Sequence, residues 1–177
     1  VFLAVLNTSN VFFGLMGSTH MSVAVFTALR RVTIGLTLLG EILYLGQKKS
    51  ASVLACVGCM MMAVAVVAAD DSSATVRGYT LVMMNNVLTA AATIMSKSLL
   101  DKAMSKETVL VITNTSTILF GVFVSAGHEL EMSIPGLRFW VASACLGALI
   151  QFSSTWSVQE NGPLTTSVLG SSKNVMM

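Results

Sequence analysis

Charge is what this chain has least of. Ten Lys or Arg and eight Asp or Glu amount to 10% of its 177 residues, against about 25% in soluble domains. That is too little to solvate a globule of 18.7 kDa. The 54% of hydrophobic residues and mean hydropathy of +0.80 exclude a disordered chain. A net charge of +2 lacks the basic surface of a soluble nucleic-acid binder and implies no acidic partner. Two prolines and few alternating apolar–polar runs argue against a β-barrel. A polytopic helical membrane protein remains.

Catalytic chemistry is equally scarce. No nucleophile–base pair, carboxylate dyad, phosphate-binding loop or metal cluster can be assembled, so no enzyme, cofactor or metal site is expected. Cys56-Val57-Gly58-Cys59 has a C-x-x-C spacing but lies in an apolar span without His or a second pair, where helix packing explains it. His20 and His128 are isolated at span ends. Asn7-Thr8-Ser9 and Asn114-Thr115-Ser116 match the glycosylation pattern but fall inside predicted spans.

What the chain does have is apolar runs. Seven are predicted as helical spans: 1–17, 21–46, 51–69, 79–97, 108–126, 137–158 and 163–177, the first and last incomplete. Polar turns such as Gln47-Lys48-Lys49-Ser50, Asp70-Asp71-Ser72-Ser73 and Asn161-Gly162-Pro163 separate them. Helices are expected because each satisfies its own backbone in lipid. The chain starts on Val1 inside an apolar run and stops inside another, so it reads as an internal fragment of one larger transmembrane domain.

The charges that exist alternate by loop. Lys48, Lys49, Lys97, Lys102 and Lys106 fall at the second and fourth connections; Asp70, Asp71, Glu129 and Glu131 fall at the third and fifth, with Arg77 and Arg138. The positive-inside rule places the lysine-rich loops in the cytosol. There is also a loose internal repeat. The segment Met21 to Val32 matches Leu164 to Val175 at a constant offset, in apolar, hydroxyl and cationic positions. The number of spans between them makes the two helices antiparallel, the plan of inverted-repeat transporters with a site near the midplane.

Arg30, Arg31 and Lys173 sit about 15 Å into their predicted helices, where a cation costs about 2.5–3.5 kcal/mol on insertion scales. Such residues face a bundle interior or a cavity. One reading is a site for an anion; the other is snorkelling or internal pairing. Glu41 lies too far along the same helix to pair with the arginines. Asn85, Asn86 and Asn114 are in-span amides, serving either as interhelical ties or as recognition groups with donor and acceptor both available.

Four stretches together resemble the nucleotide-sugar transporters of the drug/metabolite transporter superfamily, in the branch of Golgi and endoplasmic-reticulum UDP-sugar carriers related to the GDP-mannose transporters. They are Phe26-Thr27-Ala28-Leu29-Arg30-Arg31; Asn85-Asn86-Val87-Leu88-Thr89-Ala90-Ala91 with Lys97 and Asp101; Asn114; and Leu164 through Gly170-Ser171-Ser172-Lys173-Asn174. The resemblance implies an all-α membrane protein of ten helices in two inverted halves of five. This chain would hold six to seven of them, the third to the early ninth, with the halves meeting near residues 70–80. It further implies exchange of a cytosolic nucleotide sugar for lumenal nucleoside monophosphate in a Golgi or endoplasmic-reticulum membrane, with a homodimer as a candidate assembly. Lys173 with Arg30 or Arg31 would receive phosphates. Asn174, Asn114 and Asn86 would contact base or sugar, and Gly170, Thr165 and Thr166 would line the cavity. Ile112 and Thr113 stand where relatives often carry aromatics. The Gly-Ser-Ser-Lys-Asn run departs from the Gly-Ala-Leu-Asn form of GDP-mannose carriers, which favours a UDP-sugar. A carrier of sugar phosphates or other organic anions, and a non-transporting membrane scaffold, are the alternatives.

Overall fold

The computed structural model describes residues 2–70, 75–102, 105–125 and 134–172, and all regular structure among them is α-helical. The helices are α1 (Phe2–Ser18), α2 (Val23–Arg30), α3 (Val32–Leu43), α4 (Ala51–Asp70), α5 (Val76–Asp101), α6 (Lys106–Ser125), α7 (Ile134–Asn161) and α8 (Pro163–Ser172). Starts fall where the sequence supplies a side-chain acceptor for an open backbone N–H. The Ser22 hydroxyl accepts from the Val25 N–H at 3.4 Å, Thr75 from Gly78 at 3.2 Å and Ser105 from Thr108 at 3.2 Å. Glu107 lies in the first turn of α6. Its own backbone N–H and then the Ser105 hydroxyl hold its carboxyl below the usual range, so it stays ionised at the positive helix end. Between α7 and α8, Gly162 takes φ +86°, open to glycine without strain, and Pro163 starts α8 with its ring already helical.

The predicted span 21–46 is two helices. At Arg31 the backbone tightens. The Arg31 N–H donates to the Ala28 carbonyl at 3.0 Å, and the Ile34 N–H to the Arg31 carbonyl at 3.0 Å, both three residues back. No Gly or Pro marks the place. Taken across Arg31, Val23–Leu43 is one of two helical stretches long and apolar enough to cross a membrane; the other is α4. Only 11% of the most apolar stretch of α4 is buried, so Leu54, Met62, Val66 and Val67 are displayed outward. A continuous apolar surface of that kind suits lipid rather than water.

Helix α5 is the hub, packing against α1, α2, α3, α6, α7 and α8. It runs antiparallel to α1: Leu3 clusters with Leu100, the Asn85 amide reaches Asn10, and Gly17 abuts Val82. It runs parallel to α3, where Thr33 meets Asn86. Apolar clusters fill the joints. Val25, Leu29, Val32, Val64 and Val82 form one; Leu3, Leu100, Val109 and Val158 another; Ile34, Leu38, Val57 and Leu164 a third.

The connections sort into two ends. At one, Lys49 pairs with Glu41 at 2.5 Å, Lys97 donates to the Gln159 carbonyl at 2.8 Å, and Lys106 meets Glu160 at 3.6 Å and lies over the Trp156 ring. At the other, His20 abuts Gly78, and the Tyr79 hydroxyl donates to the Ala68 carbonyl at 3.0 Å. The lysines at the second and fourth connections therefore share an end, which is the grouping their alternation in sequence predicts. Helices α3 and α8 are antiparallel, since the end of α3 meets the start of α8 through Glu41.

Glu41 is 0% exposed. One carboxylate oxygen takes the Lys49 ammonium, and the other accepts the Leu164 N–H at 2.7 Å, capping α8 from a neighbouring helix. Removing one partner of a fully buried pair costs about 3–5 kcal/mol. Lys49 keeps 21% of its side chain exposed and can turn to water, so the cost here is smaller. Glu41→Ala is expected to lower the melting temperature of the purified full-length protein, and Glu41→Gln, which can still accept from Leu164, by less. Equal melting of all three proteins would show that this tie does not hold α8.

Candidate functional site

The interruption at Arg31 is held from outside the helix. On α5, Asn86 is 0% exposed. Its Nδ2 donates to the Leu29 carbonyl at 2.8 Å, and its Oδ1 accepts from the Thr33 hydroxyl at 3.0 Å. One amide thus bridges the last turn of α2 and the first turn of α3. In an apolar bundle such a bridge satisfies polar groups that lipid cannot, and it fixes the two turns that carry the arginine pair.

Both arginines open onto a polar cavity of two lobes. The upper lobe, about 270 Å³, is lined by Thr27, Arg30, Arg31, Thr33 and Ile34 of α2 and α3 with the intervening turn, Thr89 and Thr93 of α5, Ser154 of α7, and Thr166, Ser167, Gly170 and Ser171 of α8. The lower lobe, about 290 Å³, is lined by Leu3, Asn7 and Asn10 of α1, Ala92 and Ser96 of α5, Val109 and Thr113 of α6, and Gln151, Thr155 and Val158 of α7. Arg30, Thr89, Thr93 and Ser154 line both lobes, so the lobes adjoin. Thr89 lies near the middle of α5, which places the junction midway between the two ends of the bundle.

Arg30 is the charge at that junction. Its side chain is exposed, and the space it is exposed to is the cavity. Its guanidinium lies 5.8 Å from the Phe26 ring centre, a contact that steadies a cation without neutralising it. Arg31 carries a buried Nε that has no hydrogen-bond partner among the described residues. Among the described residues no carboxylate is within ion-pair distance of either arginine, and Glu41 is committed to Lys49. Two cations therefore face a hydroxyl-lined space with no described carboxylate paired to them, which is the electrostatics of an anion site.

No protein-family profile matches the chain. Curated proteins do. It is 29% identical to the nucleotide sugar transporter SLC35D2 of Mus musculus, over 98% of this chain and 56% of that protein. To the UDP-sugar transporter UST74c of Drosophila melanogaster it is 30% identical, over 94% of this chain and 47% of that protein. To the GDP-mannose transporter GONST2 of Arabidopsis thaliana it is 26% identical, over 92% and 48%. The chain is a homologue of nucleotide-sugar transporters. It spans about half the length of the curated relatives it matches.

In this transporter homologue the residues singled out from sequence divide into groups. Arg30, Arg31, Thr166 and Gly170 come together in the upper lobe. Thr166 donates to Ser157 or to the Gly162 carbonyl, at 2.9 and 3.0 Å, and a Cβ on Gly170 would meet nothing within 4 Å. Thr165 is exposed and Asn114 half-buried, and neither lines the two lobes. Asn86 has both amide atoms engaged inside the bundle and does not line them either; its geometry is that of the interhelical tie. Lys173 and Asn174 lie outside the described residues, just beyond the α8 turn that supplies Gly170 and Ser171. The lobes also take Thr27 and Thr89, which the sequence marked only within the family-like stretches, and Thr93, Ser154, Asn10 and Gln151, which it did not single out. Their signal was available in the spacing. Thr89, Thr93 and Ser96, and likewise Gln151, Ser154 and Thr155, recur at three or four residues and so lie on one helix face.

Interhelical hydrogen bonds in membranes average about 0.6 kcal/mol and reach about 1.7, so losing the two made by Asn86 should cost about 1–2 kcal/mol. Asn86→Leu is expected to destabilise the full-length protein by this amount. Asn86→Asp should do no better near neutral pH, because an ionised carboxylate cannot donate to the Leu29 carbonyl and taking up the proton that would let it donate itself costs stability. Denaturation of the three proteins in one detergent measures it. An aspartate variant as stable as wild type would mean that the Leu29 contact contributes nothing.

Proposed function

We propose that this chain is part of an antiporter that carries a nucleotide sugar, most favourably a UDP-sugar, from the cytosol to the Golgi or endoplasmic-reticulum lumen in exchange for nucleoside monophosphate. The observation that carries the reading is Arg30, facing the junction of two polar lobes with no carboxylate beside it among the described residues. The similarity to proteins named as nucleotide sugar, UDP-sugar and GDP-mannose transporters supplies the cargo class.

The chemistry is charge matching. A nucleotide sugar carries about two negative charges on its diphosphate, and a monophosphate carries up to about two near neutral pH. Exchanging like for like avoids electrical work of about 2.3 kcal/mol per charge per 100 mV. Arg30 and Arg31 would meet the phosphates together with Lys173, which follows Ser172 in sequence, and Asn174 would follow it. Thr166 and Gly170 would form the small-residue wall of α8, with Thr165 beside them. Asn114 is kept as a base or sugar contact for a second conformation, since the described one leaves it off the cavity. The antiparallel course of α3 and α8, tied at Glu41, supports two inverted halves of five helices meeting near residues 70–80, in a protein of ten. Lipid is the surrounding partner, and a homodimer is the candidate assembly.

Full-length protein in liposomes preloaded with uridine monophosphate should take up labelled UDP-sugar, and should do so poorly when unloaded. Arg30→Ala should reduce the rate at least about tenfold, which one lost charge-assisted contact accounts for, with abundance nearly unchanged. Lys173→Ala should do the same, and Lys173→Arg should be partly active, because a planar fork does not replace a compact ammonium. Wild-type uptake by both alanine variants would remove the anion site from this cavity.

A further inference from the structure

The corner between α7 and α8 is gripped at both of its helix ends by charges from other helices. The last carbonyls of α7 and the first N–H groups of α8 have no partners within their own helices. Lys97 of α5 donates to the Gln159 carbonyl at 2.8 Å, a cation at the negative end of α7. Glu41 of α3 accepts the Leu164 N–H at 2.7 Å, an anion at the positive end of α8. Each grip also has a second partner that is not part of the corner. Lys97 pairs with Asp101, one turn on in α5, at 3.2 Å, and Glu41 pairs with Lys49, just before α4. A corner that moves away therefore leaves neither charge bare, which removes most of the usual penalty for parting a buried pair. The third tie, Lys106 to Glu160, keeps 29% and 58% of its two side chains exposed, and a pair so open to water is weak.

Behind the corner lies the lower lobe. Leu3, Val109 and Val158 line it and close with Leu100 into one buried apolar cluster. Leu100 adjoins Asp101 in the chain, and Val158 adjoins Gln159. The lobe is thus separated from the lysine-rich end by an apolar layer with an ionic layer outside it, and an apolar constriction bars water and ions while it is shut. We propose that the α7–α8 corner is a releasable latch that closes the lower lobe at the lysine-rich end. In the described conformation the latch is shut. On release, Lys97 passes from the Gln159 carbonyl to Asp101 alone, and Glu41 from the Leu164 N–H to Lys49 alone. The end of α7 then carries Val158 out of the apolar layer, and the lobe opens toward the lysines.

Distances between spin labels test the latch. Labels are placed by Lys102→Cys and Asn161→Cys, both at exposed positions, in full-length protein whose native cysteines have been replaced, and pulsed dipolar spectroscopy reads the ratio of long to short separations. Lys97→Met should raise that ratio about tenfold, the effect of one lost charge-assisted hydrogen bond. Glu160→Gln should raise it about threefold. Asp101→Asn should act in the opposite direction. Added to Glu160→Gln it should lower the ratio about twofold, because a freed Lys97 then has no carboxylate to fall back on. Asp101 and Glu160 are half-exposed or more, so these two variants fold even where Lys97→Met does not. Identical distances in all variants, or an Asp101→Asn that lengthens them, would overturn the latch; a merely structural ion pair predicts the second of these. The distances are read without ligand, so they answer independently of whether the carrier takes a nucleotide sugar, which the uptake assay decides.

Discussion

The Asn86 side chain is the tie on which the rest of the cavity depends. A helix interrupted within an apolar bundle must find partners for its polar groups inside the protein, because lipid offers none. Here one amide from α5 serves the Leu29 carbonyl on one side of Arg31 and the Thr33 hydroxyl on the other. The tie lets α2 and α3 meet at a tightened turn with Arg30 and Arg31 on the cavity side. A second network, in which Asn85 and Thr89 both donate to the Asn10 side chain at 2.7 Å, fixes α1 against the same helix. Helix α5 therefore sets the position of both cavity walls.

From that constraint the electrostatics follow. Buried charges at the lysine-rich end are matched within the protein: Glu41 has Lys49 and a backbone donor, and Lys97 has Asp101 and the Gln159 carbonyl. Among the described residues the arginines in the middle of the bundle have no such carboxylate partner. An unmatched cation at mid-depth is tolerated where water or an anionic ligand replaces the missing partner, and the space beside Arg30 gives room for both.

The parts of this that could be read from sequence are those that depend on composition and on cost. Apolar runs placed the helices to within a few residues, and the expense of an arginine in an apolar run singled out Arg30 and Arg31 before any fold was visible. The interruption at Arg31 was not legible, because helix breaks are read from Gly and Pro and the stretch Leu29-Arg30-Arg31-Val32 has neither. The role of Asn86 was ambiguous for a related reason. An in-span amide can tie helices or bind ligand, and the choice depends on which neighbour's carbonyl lies opposite, a fact of tertiary packing. The hydroxyl faces of α5 and α7 were present in the spacing. They went unread because the helices are apolar nearly all round, so a stripe of Thr and Ser barely disturbs the hydropathy pattern.

A ligand site at the junction of the two lobes requires that this space be filled with water in the folded full-length protein. Thr93, which lines both lobes, tests it most directly. A single cysteine is placed at position 93 of a full-length protein whose native cysteines have been replaced, and its reaction with a charged, membrane-impermeant thiol reagent is timed. Thr93→Cys should react, and nucleotide sugar should slow the reaction, while a cysteine at Val66, on the lipid-suited face of α4, should be unaffected by the ligand. A cysteine at position 93 that is inert, or that reacts at one rate with and without ligand, would contradict it.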